Sequence, residues 1–431
     1  MKNFYWLIYL IISFFLSAAN FLSFKVHLYN GDIYTNISFV FFQIFILLPI
    51  YLRRRNIIFA NILVILLFTN IILIPINFIL TKDVPILQPD LSYKLKYIND
   101  GFFDGMFSDN QEFYTDELGY RPNKKNINYK NKINTLRVFT IGGSTTANMT
   151  LGNNNTWSSI LGNYIQKNNT KNIEVINTGV SGLRSMHNYL TFKRILKLEP
   201  DLVIFLLGIN DWNHQIKQKD KYLFPSYEIR YDIKHSLIYK FFSNIKKVVN
   251  RKIAKIKKNE NHKGNERIPE QNLDIINADA GDYFLKKLGN LYKKKQKEFR
   301  PLNVSKSYSY WINQIVSECN ANIKKFNCLF LDQPTSYSLG ATDQLKNRMW
   351  MTPPNENYTL SLENMIHISS IYNKWLKNVI IKNNLPFFSI SKEIPQTIDY
   401  FYDDCHYTES GAKLFAKELA GFVLNNPNFL K

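Results

Sequence analysis

The stretch Leu136-Arg-Val-Phe-Thr-Ile-Gly-Gly-Ser-Thr-Thr146 decides how this chain folds. Its apolar run, residues 138–141, predicts a buried strand, and the two glycines after it allow a sharp turn. Ser144 then stands where a helix is expected to begin. Serine is common as a helix cap or turn residue. At the carboxyl end of a strand in an open α/β sheet, where ligands bind, it is also a candidate nucleophile.

From residue 136 onward, apolar strands alternate with helical segments. Strands are predicted at 138–141, 173–177, 201–207, 328–331 and 386–390, and helices at 157–167, 186–198, 305–325, 362–381 and 408–423. Near-continuous apolar strands separated by helices indicate a parallel sheet that is covered on both faces. The sequence therefore predicts one three-layer αβα domain over residues 136–431, with a five-stranded parallel sheet.

The charge of the chain is strongly basic. Among 431 residues, 54 lysines and arginines outnumber 34 acidic residues, which gives a net charge of +20. This balance favours anionic surroundings, but no zinc-finger spacing or RNP-type aromatic pattern accompanies it, so we expect no nucleic-acid partner. Lysine runs concentrate in a predicted insertion at about 212–304. The insertion fits a solvated loop, a basic amphipathic helix on anionic lipid, or a cap that recruits an acidic glycan.

The N-terminal fifth of the chain is typical of a membrane protein. Residues 4–24, 33–52 and 57–80 are apolar stretches of about 20 residues or more, enough to cross a hydrocarbon core. A cleaved signal peptide is the alternative for the first stretch. Three arginines at 53–55 place the loop between the second and third stretches in the cytoplasm. Residues 1–80 are thus predicted to form about three transmembrane helices in the inner or cytoplasmic membrane.

This sidedness puts the remainder of the chain outside the cytoplasm. Residues 81–135 read as a connector, since Pro85, Pro89 and many polar residues interrupt any regular pattern. The domain that begins at residue 136 is then expected on the periplasmic or extracellular side, close to the bilayer.

Four short motifs stand at strand ends or helix starts. They are Gly142-Gly-Ser144, the glycine at 182, Gly208-Ile-Asn210 and Asp403-x-x-His406. In this order they resemble the four blocks of the SGNH (GDSL-type) hydrolases, and we identify the chain as a membrane-anchored bacterial member of that family. The resemblance covers about residues 136–211 and 325–425. It departs from the name-giving motif at Gly143, where that motif has Asp.

The resemblance implies a flavodoxin-like SGNH-hydrolase domain and a role for each motif. Ser144 is the expected nucleophile, His406 its general base, and Asp403 the carboxylate that orients the imidazole, with Asp404 as the rival orienter. Backbone N–H groups of Ser144 and Gly182 and the side-chain amide of Asn210 would form the oxyanion hole. Such chemistry needs no metal or organic cofactor.

An ordinary α/β-hydrolase is disfavoured, because Thr146 occupies the last position of the Gly-x-Ser-x-Gly elbow. His187 and His214 are expected to be surface or supporting residues, and Cys405 a packing residue. Three cysteines are too few for a disulfide framework. Two of them, at 319 and 328, could pair in an oxidising compartment, but their helix-then-strand setting leaves the geometry open. Trp212 either walls an acyl pocket or packs under the insertion.

The predicted function is a serine esterase of the cell envelope. Its expected substrates are O-acyl esters, above all O-acetyl esters, on an extracytoplasmic glycan or polysaccharide, cleaved through an acyl-enzyme at Ser144. Transfer of the acyl group to a sugar hydroxyl is the alternative reaction, and an acylated lipid is a further substrate class. A different class of function is a non-catalytic glycan-binding or scaffold protein. Protein partners and oligomeric state cannot be inferred from the sequence.

Overall fold

A computed structural model of the chain describes residues 86–87, 89–95, 103, 105–218, 294–349 and 358–430. The predicted membrane spans at 4–24, 33–52 and 57–80 lie outside these residues, as does most of the basic insertion. None of the helices within the described residues is long and apolar enough to cross a membrane.

Six strands form the main sheet of the described chain. The strands in chain order are β1 (Ser92–Leu95), β2 (Gln111–Tyr114), β3 (Arg121–Pro122), β4 (Thr135–Gly142), β5 (Asn172–Asn177), β6 (Leu202–Leu206), β7 (Lys295–Lys297), β8 (Asn327–Leu331), β9 (Tyr358–Leu360) and β10 (Phe387–Phe388). The main sheet has the order β10-β8-β6-β4-β5-β3, while β1 with β2 and β7 with β9 form separate two-stranded pairs. All neighbours in the main sheet are parallel except the edge strand β3, which runs antiparallel to β5.

Helices cover both faces of this sheet. In chain order they are α1 (Ser144–Ala147), α2 (Trp157–Lys167), α3 (Ser185–Ile195), α4 (Ile209–Gln218), α5 (Lys306–Ala321), α6 (Asp343–Lys346), α7 (Leu362–Lys382) and α8 (Glu409–Leu424). Helices α2, α5, α7 and α8 each begin where a serine or threonine side chain accepts a backbone N–H, as Thr156 does from Ser159 and Thr408 from Gly411. Helix α2 packs against α8, whereas α5 packs against both α3 and α7.

The predicted parallel strands and the helices between them are present, so the α/β prediction is confirmed. The five parallel strands follow the order 2-1-3-4-5 of a flavodoxin-like sheet. The prediction of a purely parallel five-stranded sheet was wrong in one respect, because β3 adds a sixth, antiparallel strand. Two residues of pairing give too short a pattern to recognise in sequence. Helix α4 was also missed, because residues from 212 onward were assigned to the insertion, although its buried Ile209, Trp212 and Ile216 follow the helical period.

The apolar strands fill the centre of the domain, as their composition predicts. Every residue of β6 is buried, and Phe205 stacks on its register partner Phe330 of β8 with ring centroids 4.7 Å apart. Trp212 is completely buried and meets Tyr372 of α7 edge-on, so it belongs to this core. Of the two roles considered for Trp212, packing is the one that the structure supports.

Two cysteines that the sequence left open form a disulfide. Cys319, in the last turn of α5, is bonded to Cys328 of β8, and their Cα atoms lie 6.1 Å apart. Both side chains are buried. The bond joins a covering helix to the strand that follows it, and Cys405 remains a free, buried thiol.

Candidate active site

Ser144 begins helix α1 directly after Gly143, and β4 ends at Gly142. A side chain at position 142 would place its Cβ 2.5 Å from the carbonyl oxygen of Leu206, and one at position 143 would place it 2.4 Å from the Asn210 amide nitrogen. At position 142 the neighbour is backbone, so only glycine fits there. At position 143 the neighbour is the end of the Asn210 side chain, which would have to move to admit the Asp of the name-giving motif.

The far end of helix α1 is held by a buried arginine. Arg121 donates from its guanidinium to the carbonyl oxygens of Ala147, Asn148 and Leu151, the last at 2.5 Å. A cation at the C-terminal end of a helix also complements its dipole. Arg121 comes from the segment predicted as a connector, and sequence reasoning missed its role. The Gly-Tyr-Arg triplet at 119–121 gave no signal that could be read without the fold.

The loop after β5 brings Gly182 to the same edge of the sheet. Gly182 has φ +80°, a conformation that favours glycine, and its Cα faces open space. Asn210, in the first turn of α4, donates from Nδ2 to the carbonyl oxygen of Leu183 over 2.9 Å. This hydrogen bond fixes the amide of Asn210 beside the loop that carries Gly182.

A buried carboxylate fastens this loop a second time. Asp211 accepts from the backbone N–H of Ser185 at 3.0 Å and from its hydroxyl at 2.6 Å. Asn210 and Asp211 are consecutive, so α4 grips the loop 181–185 at two points. Asp211 directly follows the Gly208-Ile-Asn210 motif, but no role was predicted for it, since only the fold reveals its partner.

The residues of the Asp-x-x-His motif meet within one turn. His406 Nδ1 lies 2.7 Å from Asp403 Oδ2, and Asp403 Oδ1 accepts the backbone N–H groups of His406 at 2.8 Å and Cys405 at 3.0 Å. The Tyr402 ring stacks on the imidazole with centroids 5.6 Å apart. Asp403 is almost completely buried, whereas His406 is partly exposed. The imidazole is thus oriented from one side and open on the other.

The pKa of His406 is raised above its ordinary value of 6.5. Burial is the largest influence and lowers it, because an imidazolium loses solvation. The charge of Asp403 and its hydrogen bond act in the opposite direction and together prevail. The pair therefore favours the protonated imidazole, the form that a general base reaches after it has taken a proton.

Asp404 and Cys405 are the alternatives to Asp403 as the orienting carboxylate and to Ser144 as the nucleophile, and both have other contacts. Asp404 Oδ2 accepts a hydrogen bond from the Tyr337 hydroxyl at 3.0 Å, so this carboxylate is not the one that orients the imidazole. Burial, with help from both carboxylates, raises the pKa of Cys405 well above its usual value. A protonated, buried thiol is a poor nucleophile, which agrees with a packing role.

Asp403, Cys405 and His406 also offer three potential metal ligands within 4.8 Å of one another. The donor set does not fit a metal well. Both oxygens of Asp403 already take part in hydrogen bonds, Oδ1 with two backbone N–H groups and Oδ2 with the imidazole nitrogen. The hydrogen bonds alone account for this arrangement.

An aromatic column connects the serine turn to the histidine turn. The Trp157 indole N–H donates to the Thr145 carbonyl at 3.0 Å, the Trp157 ring packs on Phe415 at 4.7 Å, and Phe415 packs on Tyr407 at 5.3 Å. The column thus runs from the residue after Ser144 to the residue after His406. All three rings are completely buried.

Solvent reaches the predicted site residues selectively. Within the runs 136–148, 202–212 and 401–408, every residue is buried except Ser144, Asn210 and His406 respectively. Ser144 and Asn210 follow β4 and β6, the neighbouring strands at which the strand order reverses, and this switch point is where open α/β sheets bind ligands. The structure thus places Ser144 and Asn210 at one accessible edge of the sheet.

The other two histidines considered lie beside this group. His187 Nδ1 accepts the backbone N–H of Arg184 at 3.2 Å, so this imidazole caps helix α3. His214 is half-buried on α4, one turn beyond Asn210. The capping contact of His187 matches the supporting role that was expected for it.

Several solved structures are distantly similar to this chain. An acetylxylan esterase from Geobacillus stearothermophilus is 12% identical, over 67% of this chain and 93% of its own, with a TM-score of 0.34. A GDSL-like lipase from Bacteroides thetaiotaomicron is 12% identical, over 67% and 88%, with a TM-score of 0.33. An α/β hydrolase from the metagenome of Lake Arreo, Spain, is 11% identical, over 68% and 96%, with a TM-score of 0.36.

Likenesses this weak carry no argument about substrate. Among curated proteins, none is similar enough in sequence to count as a match. The family evidence is stronger, because the model of the family described as GDSL-like Lipase/Acylhydrolase matches residues 138–419, the region that carries every site residue above. The chain therefore belongs to the GDSL-like lipase/acylhydrolase family and is a serine ester hydrolase.

Proposed function

We propose that this protein cleaves O-acyl esters, above all O-acetyl esters, on an extracytoplasmic glycan through an acyl-enzyme at Ser144. The observation that carries the proposal is the Asp403–His406 pair, at 2.7 Å, on the turn that the aromatic column joins to the Ser144 turn. A serine becomes a useful nucleophile only when such a base is available.

In the first half of the reaction, Ser144 Oγ attacks the ester carbonyl carbon and its proton passes to His406. Asp403 stabilises the imidazolium that results, as the raised pKa of His406 requires. The carbonyl oxygen becomes an oxyanion, which is held by the N–H groups of Ser144 and Gly182 and by the Asn210 amide. The N–H of Ser144 suits this role, because the first N–H groups of a helix have no intrahelical acceptor.

Collapse of this intermediate breaks the bond to the alcohol oxygen, which leaves with the proton from His406. Water then attacks the acyl-enzyme and gives its proton to His406. Collapse of this second intermediate releases the carboxylic acid, and His406 returns the proton to the Ser144 oxygen. The partial exposure of Ser144 and His406 is compatible with entry of water or of a sugar hydroxyl. A sugar acceptor would turn the same chemistry into acyl transfer.

Two features support a site outside the cytoplasm. The apolar stretches and the arginines at 53–55 favour a membrane-anchored chain whose domain faces the periplasm or exterior. The Cys319–Cys328 disulfide agrees with this location, since disulfides persist in oxidising compartments. An envelope glycan is the substrate class that an anchored domain meets there.

The test uses the full chain with p-nitrophenyl acetate and a fluorophosphonate probe. We expect acetate release and labelling at Ser144, and loss of both in Ser144→Ala. The exposed neighbour Ser181 provides the matched control, because Ser181→Ala changes a hydroxyl at the same edge and should leave both signals intact.

The outcomes separate the candidate functions. Labelling with slow turnover that accelerates on addition of oligosaccharide would identify a transferase. Folded protein that neither labels nor turns over would overturn the catalytic proposal in favour of glycan binding. Activity retained in Ser144→Ala would overturn the choice of nucleophile.

A further inference from the structure

The end of the sheet opposite Ser144 carries an unusual surface, which we call the amino-end face. It consists of the loops that precede the parallel strands and the helix ends that lead into them. Its exposed side chains include six lysines and three isoleucines: Lys130, Lys167, Lys197, Lys324, Lys325, Lys382, Ile133, Ile323 and Ile381.

These loops form one connected surface. Asn172 donates its backbone N–H to Asn134 at 2.9 Å, and Asn327 donates its own to Asp201 at 2.8 Å. Lys132 Nζ donates hydrogen bonds to Asp201 Oδ1 at 2.7 Å and to the backbone carbonyl oxygen of Glu199 at 2.9 Å. The loops before β4, β5, β6 and β8 are therefore tied together, so their side chains share one face.

The positive charge of this face is largely unneutralised. Its acidic residues are Glu199, Asp201 and Glu318. Lys132 forms an ion pair with Asp201, and Lys193 forms one with Glu318 at 2.8 Å. None of the six exposed lysines has a carboxylate within ion-pair distance among the described residues. An anionic partner would thus find free cations rather than existing pairs.

The exposed isoleucines of the amino-end face indicate which kind of anionic partner it binds. Ile133, Ile323 and Ile381 are 74%, 55% and 53% exposed, and they account for three of the seven large exposed hydrophobic side chains in the described chain. Each stands next to a lysine in sequence. A hydrophilic polyanion offers no apolar phase for these side chains, whereas the headgroup region of a bilayer accepts apolar and cationic side chains together.

We infer that the amino-end face docks on the surface of an anionic lipid bilayer. Its lysines meet the headgroups, and its isoleucines enter the interface between them. Strand β4 spans eight residues, so the carboxyl end that carries Ser144 lies about 25 Å from this face. Docking therefore turns the site away from the membrane, which favours an ester on a polymer over an ester on a membrane lipid.

Depth measurements on the full chain in vesicles test this inference. An environment-sensitive fluorophore is attached at Ile323→Cys, and quenching by brominated lipid is read in phosphatidylglycerol-containing and in purely phosphatidylcholine vesicles. Leu339→Cys is the matched control, since Leu339 is 68% exposed on the loop after the carboxyl end of β8. Unsubstituted chain reports background labelling, because its three cysteines are buried.

We expect strong quenching at position 323 in the anionic vesicles, weak quenching in the zwitterionic ones, and little at position 339 in either. Added salt should reduce the signal at 323. Replacing Lys324, Lys325 and Lys382 together by Gln should weaken the contact by at least about tenfold, because each lysine near an anionic surface contributes several-fold. The same change at Lys306, Lys346 and Lys413, near the site end, should have little effect.

Three results would overturn the inference. They are a water-exposed probe at 323 in anionic vesicles, equal losses from the two lysine triplets, and a spectral shift at 323 with a soluble acidic polysaccharide that exceeds the shift with vesicles. The last would assign the face to a glycan. The readouts contain no ester, so they remain informative if the proposed esterase chemistry fails.

Discussion

The two sides of the active site are built in different ways. Asp403 and His406 are three residues apart, and a single turn supplies both the carboxylate and the two backbone N–H groups that bond its Oδ1. Gly182 and Asn210, on the other side, come from different strand–helix connections. They are held by contacts to Leu183 and Ser185 across more than twenty residues of chain.

This difference teaches which part of a hydrolase site is a local property. The hydrogen bonds between Asp403 and His406 join residues three apart, so the internal geometry of the pair is set mainly by its own turn. The oxyanion side exists only when α4 packs beside the loop 181–185, so it depends on the fold as a whole. Variants on the two sides should therefore differ in both the size and the kind of their effects.

The largest effect within this comparison is expected from Asp403→Asn. An amide neither stabilises the imidazolium nor enforces the tautomer in which Nδ1 carries the proton, and kcat should fall by about 10⁴-fold. Steady-state kinetics with p-nitrophenyl acetate measure the loss. Asp404→Asn is the matched control, because its carboxylate bonds Tyr337, and near-normal kcat is expected there. The reverse ranking would mean that Asp404 orients His406.

A smaller effect is expected from Asn210→Ala, which removes one oxyanion donor and leaves the acid–base turn intact. Loss of one such donor reduces kcat by about 10²–10³-fold, with little change in KM. Asn213→Ala on the same helix serves as the control and should be near neutral. If Asn210→Ala raises KM and spares kcat, its amide binds the ground state and is not an oxyanion donor.

The smallest and most diagnostic difference is expected in the pH profile. A general base must be neutral, so kcat/KM should rise with pH through the raised pKa of His406, at a midpoint above 6.5. In Asp403→Asn, burial acts without its opposing charge, and the midpoint should move below 6.5. Asn210→Ala should keep the wild-type midpoint. A shift of equal size in both variants would show that the two sides are not independent.

The Asp403–His406 pair should also make the free energy of unfolding depend on pH. Because the pKa of His406 is raised in the folded chain, this imidazole stabilises the fold fully at pH values below its ordinary pKa of 6.5. That stabilisation is lost as the pH rises through the folded-state pKa. The direction is therefore opposite to that of a carboxylate whose pKa is depressed by folding.

The sequence predicted the regular part of the fold well, and for identifiable reasons. The helix predicted at 157–167 matches α2 at both ends, because Thr156 supplies a cap and the apolar residues follow the helical period. The edge strand β3 was missed because it is two residues long, and helix α4 was missed because most of it was assigned to the insertion. The predicted membrane spans and the extracytoplasmic location remain predictions.

Sequence alone determined which residues could carry the chemistry and which strand ends would present them. Alternating apolar strands and helices dictate a parallel sheet, and a parallel sheet sends all its strand ends to one edge. Only the tertiary structure decided how those residues are held. It placed Arg121 under α1, Asp211 on Ser185, and Cys319 against Cys328. Such partners are distant in sequence or follow no period, so no local pattern records them and only packing brings them together.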